Sequence, residues 1–423
     1  MELKGKRLLI LGGSLWRDGI KQFCDDNGIT IIAAGNDSSS GICDIAEEYY
    51  NVDSTNSEQM KKLIKDKRID GIYMGGNEPV IAVACQYINE LGLPCYCTKK
   101  QWDSLQDKRQ FKDLCIRFGL PVVKQFKREE VKEADFPVIT KPADGSGSHG
   151  FAVCRDQGTF EKGYAAAAES SPTGNVIIEK FVPNDGIVVV YTVSDGHLIF
   201  STMEDKYPVA FKPYGTYVGG LFDFESALVP EFRELFENKL QALINYLEIK
   251  EGNFWIEVFH DGNQYYFNEV GFRYGGSGSL YPVDYFKGIN QVAADIYFAL
   301  TGKSKVEGFA PLYGSAVQKK TKYAIYPVFL RSGVIGSIRG CDVLLKNKNI
   351  LNILYMKKEG NMIPDNGSFG HAVMLVHFIY DDLPELKEII SDIHNCLNVE
   401  DANGENMILQ LLDINDFQLR GIQ

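Results

Sequence analysis

The sequence has no uncharged apolar run long enough to cross a bilayer. The apolar run after Met-Glu-Leu-Lys-Gly-Lys-Arg, Leu8 to Leu11, is too short for a signal-peptide core, so a soluble, cytoplasmic chain is expected. Basic charge is in deficit: 44 Lys and Arg face 56 Asp and Glu, for a formal net charge of −12. That argues against nucleic acid or an anionic membrane surface as the main partner. There are no C-x-x-C pairs. The nine cysteines are scattered, with Cys95 and Cys97 the closest two, so neither a disulfide framework nor a zinc site is indicated. The usual glycine signatures for phosphate are missing as well. Gly12-Gly13-Ser14 does not give G-x-G-x-x-G spacing, and Lys141 precedes its glycines instead of following them.

What is present is ordinary globular material, 423 residues with 45% apolar and 24% charged content, enough for two or three domains with sizeable cores. Strand patterns at 7–11, 30–34 and 69–74 alternate with helical ones ending near Gly28 and spanning 57–67 and 78–91. This rhythm predicts a small doubly wound parallel sheet at the N-terminus. Gly75-Gly76-Asn77-Glu78 follows the 69–74 strand, where open sheets place ligands; Glu78 either caps the next helix or touches a substrate amine. A helical pattern from Thr98 to Gly119 follows, and amphipathic helices are predicted at Pro230 to Leu247 and about Asn290 to Leu300. Glu204 to Gly220, with Lys206, Lys212 and many Gly, Tyr and Pro residues, reads as an ordered but mobile active-site loop. Past about residue 310, short strands and a helix at about Leu383 to Leu397 predict a small third α+β lobe, with His371 and His377 as structural histidines.

Two stretches carry chemistry. In the first, a strand delivers Lys141 into a loop of small residues, Gly145, Ser146, Gly147, Ser148, His149 and Gly150, and a second strand leaves it. Such a loop lets backbone N–H groups converge on phosphate oxygens beside a lysine charge, although a flexible hairpin with a solvated lysine has the same pattern. In the second, Glu257 and Glu269 lie in apolar runs on either side of Asp261-Gly262, a hairpin signature. With an odd number of residues at the tip, both carboxylates face one way. Two close carboxylates resist full ionisation unless a cation sits between them, and magnesium takes one or two carboxylates plus substrate phosphates. The other reading is a pair of solvated acids on an exposed face.

With the lysine–glycine loop, the strand at Glu179 and the Glu257/Glu269 pair in this order, the chain resembles the ATP-grasp superfamily of ATP-dependent ligases. More narrowly, it is similar to the biotin-carboxylase, carbamoyl-phosphate-synthetase and L-amino-acid-ligase branch. The resemblance implies a Rossmann-like α/β domain at 1–97, ATP-grasp lobes at 98–309 with a lid subdomain at about 120–183, and a C-terminal α+β lobe at 310–423. It implies a carboxylate–amine ligase using ATP and Mg2+ on small molecules, and a homodimer. By the same resemblance Lys108 and Lys141 contact ATP phosphates, and Gly145 to Gly150 form the closing loop. Glu179, Lys180 and Val182 hold the adenine edge, Glu257 and Glu269 bind magnesium, and Arg273 meets the acyl phosphate or the substrate carboxylate. Lys212 joins Arg273 as a candidate catalytic residue. Two positions depart from the pattern: Gly271 stands where the family carries a metal-ligating asparagine, and Gly186 where a ribose-binding acid is expected, leaving Asp185 as a substitute.

Overall fold

The computed structural model describes residues 2–143, 150–182, 185–313, 320–415 and 417–420. The chain divides into two compact units, one made of Met1–Gln106, Val188–Ile256 and Val270–Gln423, the other of Asp107–Ile187 and Glu257–Glu269.

In the first unit, Arg7–Ile10, Thr30–Gly35, Glu48–Asn51 and Gly71–Tyr73 form a wholly parallel sheet. Its spatial order is Glu48–Asn51, Thr30–Gly35, Arg7–Ile10, Gly71–Tyr73. Leu8, Leu9 and Ile10 are fully buried, as expected of parallel strands covered on both faces. The helix Glu78–Glu90 follows Gly71–Tyr73 after a turn in which Gly75 has φ 72°. Asn77 caps this helix by accepting from the Val80 N–H, so capping does not fall to Glu78.

A larger sheet in the same unit runs Asp185–Ser194, His197–Phe211, Thr216–Phe224, Lys322–Leu330, Ala372–Tyr380, Ile350–Tyr355, in order of neighbours. On the other side of Asp185–Ser194 come Gly252–His260 and then Tyr265–Gly271, and the division between units falls inside all three of these strands. Residues 204–220 are not the mobile loop expected. Apart from the turn at 212–215 they belong to His197–Phe211 and Thr216–Phe224, an antiparallel pair running from Glu204↔Phe224 to Phe211↔Thr216. The glycines and prolines that suggested a loop sit at a bulge beside Pro208 and at the turn around Gly215, which has φ 66°. Strands from the segment past residue 310 extend this same sheet. Within it His377 accepts or donates with Tyr323 Oη at 2.8 Å, and burial pushes its pKa down to about 3.

The second unit is built on an antiparallel sheet of order Gln125–Phe126, Val176–Lys180, Val138–Pro142, Ala152–Cys154. One face packs Val138, Cys154 and Ile178 against Phe160 of the helix Gln157–Ser170. The expected Thr98–Gly119 helix is two helices, Lys99–Gln106 and Lys108–Arg117. The break falls at Asp107, whose Oδ1 accepts the N–H groups of Arg109 and Gln110 at 2.9 Å and starts the second helix. Lys108 is therefore the first residue of a new helix.

Candidate functional site

Alternation puts Ile139, Lys141, Ile177 and Glu179 on the sheet face opposite that core, because Ile139 pairs with Glu179 and Lys141 with Ile177. Gln125, paired with Glu179 from the other side, shares it. The helix Lys108–Arg117 brings Lys112 to this face, where its ammonium forms a buried ion pair with Glu179 Oε1. Lys141 Nζ lies 2.8 Å from Glu179 Oε2, and Gln125 Nε2 donates to Oε1 at 3.1 Å. Glu179 is completely buried; the side chains of Lys112 and Lys141 are 7% and 18% exposed. Burial pushes both lysines below the ordinary range. The charge of Lys141 adds to the effect on Lys112, and that of Lys108 to the effect on Lys141. The Glu269 and Glu257 carboxylates pull Lys141 the other way.

The predicted residues Lys108, Lys141, Glu257 and Glu269 are thus brought into one electrostatic neighbourhood. The hairpin achieves this differently from the expectation. Its strands end at His260 and resume at Tyr265, leaving Asp261 to Gln264 as an even-numbered tip in which Asp261 N donates to Gln264 O at 3.2 Å. Tyr265 and Phe267 are buried and Tyr266 half-buried, but Asn268 and Glu269 are both half-buried in succession. Both acids nonetheless act on Lys141 despite the even tip. Asn268, which the sequence reading passed over, donates Nδ2 to Glu257 Oε2 at 2.7 Å.

The other expected residues are placed as follows. Gly145, Ser146, Gly147, Ser148 and His149 lie outside the described residues, whereas Gly150 is a turn glycine with φ 72°. The Glu179 side chain is engaged with lysines, and the Lys180 ammonium donates to the carbonyls of Asp135, at 2.8 Å, and Phe136. Any adenine contact from these positions therefore falls to their backbone. Val182 is half-buried after the strand. Asp185 opens the strand Asp185–Ser194, and its side chain lies outside the description. Lys212 is exposed on the short turn Lys212–Tyr214.

In the first unit Arg273 is held by Glu78 and by the Tyr274 carbonyl. Its Nε and Nη2 lie 2.8 and 2.6 Å from Glu78 Oε1, Nη1 donates to Tyr274 O at 2.6 Å, and the guanidinium sits 5.3 Å above the Trp255 ring. Trp255 also explains Gly271: a Cβ there would lie 2.1 Å from Trp255 Nε1, so the indole fills the space a side chain would need. Behind Arg273, the Tyr274 hydroxyl bonds Asp295, which also accepts from Asn253 Nδ2 at 3.1 and 3.2 Å. Desolvation in the interior pushes the Asp295 carboxyl up to about 7.

As a magnesium site, the hairpin supplies two carboxylates. Among the described residues no group of three or more His, Cys, Asp or Glu side chains is placed to hold a metal. Two carboxylates fit an ion that completes its shell with phosphate and water, and not one caged by protein alone.

With this geometry in hand, the comparisons are specific. Residues 107–211 match the family model for the carbamoyl-phosphate synthase L chain, ATP binding domain. Over that stretch, about a quarter of its length, the chain is similar to an ATP-grasp ATP-binding domain. Its fold is similar to that of phosphoribosylglycinamide synthetase from Anaerococcus prevotii, at TM-score 0.73 and 18% identity over 94% of this chain and 99% of that one. It is equally similar to L-amino acid ligase from Bacillus licheniformis, at TM-score 0.74 and 17% identity over 95% and 100% of the two chains. The biotin carboxylase domain dimer of 2-oxoglutarate carboxylase from Hydrogenobacter thermophilus, solved with MgADP and bicarbonate, gives TM-score 0.72 and 16% identity over 96% and 91%. In sequence, pyruvate carboxylase of Aspergillus niger is 33% identical over 113 residues, 24% of this chain. The chain spans only 10% of the length of that curated relative.

Proposed function

We propose that the protein is an ATP-dependent carboxylate–amine ligase that forms an acyl phosphate and releases ADP and phosphate. The observation that carries this reading is the charge neighbourhood of Lys141, which shares Glu179 with Lys112 and feels the charges of Lys108, Glu257 and Glu269. A carboxylate is a poor electrophile at neutral pH. In the proposed reaction its oxygen attacks the γ-phosphorus of ATP, the bond to the β-phosphate oxygen breaks, and ADP leaves. The amine nitrogen then attacks the acyl carbon and expels phosphate, giving up a proton as the C–N bond forms. Phosphoryl transfer asks for positioning and charge stabilisation and needs no covalent protein nucleophile. Lys108 and Lys141 supply positive charge to phosphate oxygens, and Arg273 meets the acyl phosphate or the substrate carboxylate. Glu257 and Glu269 would hold magnesium, which neutralises phosphate charge when bound. Lys212, on its exposed turn, is assigned a substrate contact.

The parallel sheet at the N-terminus is read as the Rossmann-like domain that accompanies this fold, and 120–183 as the lid. The biotin carboxylase neighbour crystallised as a dimer supports a homodimer, and the lack of any membrane-length apolar helix among the described residues is consistent with the cytoplasm. A second reading, nucleotide binding without ligation, draws support from Gly271, where the indole of Trp255 leaves no room for a ligating side chain. Phosphate release measured against panels of amino acids, of bicarbonate with biotin, and of phosphoribosylamine separates these. Release stimulated by a carboxylate with an amine supports the ligase; nucleotide binding with no stimulated release by any pair refutes it.

A further inference from the structure

We propose that Lys112 is a positioning residue of the nucleotide site: it stays with Glu179 and so frees Lys141 to leave that carboxylate for a phosphate oxygen. The inference rests on the nucleotide-binding reading above and concerns a residue to which that reading gives no role. Glu179 offers one oxygen to each lysine, Oε1 to Lys112 and Oε2 to Lys141. A fully buried carboxylate cannot be left without a cation except at great cost. If Lys141 were its sole partner, each phosphate contact made by Lys141 would strand Glu179 with only the neutral Gln125 amide. Lys112 removes that conflict, because the carboxylate remains neutralised whichever way Lys141 turns.

Exposure sets which lysine stays and which moves. Lys112, at 7%, is sealed between its helix and the sheet; Lys141, at 18%, is the more accessible of the two. The remaining charges favour the same division. Two ammonium groups share one carboxylate, so Glu179 alone does not balance both lysines. Lys108 repels Lys141, while Glu257 and Glu269 attract it from the hairpin. Around Lys112, the Lys141 and Lys108 charges repel, and the Cys115 thiol lies on its own helix. A phosphate arriving at Lys141 meets a cation that is only half compensated, and its binding leaves behind a neutral Lys112–Glu179 pair.

The test is rescue of nucleotide affinity, read by calorimetry with ADP and with a non-hydrolysable ATP analogue in magnesium buffer. Lys112→Met commits Lys141 to Glu179 and is expected to weaken binding about tenfold or more, the loss of one charge-assisted hydrogen bond to phosphate. Adding Glu179→Gln to Lys112→Met removes the carboxylate that captures Lys141 and is expected to recover most of that affinity. Lys112→Arg keeps the charge and should bind like wild type. A merely structural lysine gives no rescue by Glu179→Gln, and thermal melts of all variants report whether folding accounts for any change. Should Lys112→Met prove poorly folded, the comparison of Lys112→Arg with the double variant, both expected near wild-type affinity, carries the test. Wild-type affinity in Lys112→Met, or a double variant no better than Lys112→Met, overturns the proposal while leaving the nucleotide reading intact. A wild-type protein that binds neither nucleotide overturns both.

Discussion

Gly271→Asn puts back the residue that the resemblance leads one to expect, and the structure says that it harms the protein. The Cβ alone would lie 2.1 Å from Trp255 Nε1, 2.2 Å from Cε2 and 2.6 Å from Cζ2, all far inside van der Waals contact. The indole cannot simply step aside. It packs with Val188, Val190, Val283 and Ile289, and the Arg273 guanidinium, itself tied to Glu78, covers its ring. Gly271 has no positive φ, so the penalty is steric and not conformational. Overpacking of this kind costs about 1–3 kcal/mol. Gly271→Ala isolates the Cβ and should fall toward the lower end, with Gly271→Asn toward the upper. Urea unfolding followed by circular dichroism measures the loss. Removing the obstacle makes the argument sharper: Trp255→Ala costs stability on its own account, but in its background Gly271→Ala should be nearly neutral, a coupling of about 1 kcal/mol or more between touching residues. A Gly271→Ala protein as stable as wild type, or strictly additive single and double variants, refutes the claim that Trp255 is what keeps this position glycine.

Glu269→Ala is expected to lower ADP release about 10²- to 10³-fold, as loss of one electrostatic group commonly does, with an unchanged circular dichroism spectrum; near-wild-type release contradicts its role. Asp295 has a folded pKa raised from 3.8 to about 7, so between about pH 4 and 7 the folded state keeps a proton the unfolded state has lost. Its contribution to stability therefore falls as pH rises through that window and levels off above it, by about 4 kcal/mol at most; Asp295→Asn should flatten that part of a stability–pH profile from urea midpoints. Glu78→Gln should change thermal stability by less than about 1 kcal/mol, since its pair with Arg273 is partly exposed and Asn77 supplies the helix cap. A large drop in melting temperature would show that the pair is structural.

Charges set inside apolar runs were legible because burial of a charge demands a reason. Lys141, Glu257 and Glu269 stood out that way. Lys112 did not, because it sits on a helix among other polar residues and its partner Glu179 is 67 positions away. The same holds for Asp295, which meets Tyr274 and Asn253 only through tertiary packing. Three of the four parallel strands at the N-terminus were readable from short apolar runs closed by glycine turns; the fourth, Glu48–Asn51, has no such run. Residues 204–220 misled because turn-forming residues count toward a loop in composition, while the alternation that makes them strands shows only once the neighbouring strand Thr216–Phe224 and its partner Lys322–Leu330 are known.

The first unit is assembled from three separate stretches of chain, and that arrangement dictates the order in which a ribosome can deliver a finished structure. The second unit is complete as soon as Glu269 has emerged. The first must wait, because Thr216–Phe224 finds its outer neighbour only when Lys322–Leu330 appears, and that strand in turn needs Ala372–Tyr380. Until then the nascent chain carries an open strand edge, the kind of exposed template that recruits other chains. Synthesis of this protein therefore includes an interval of about 110 residues between Glu269 and Tyr380, some 5–20 s at usual elongation rates, in which the second unit's chain is complete and the first unit's sheet is not.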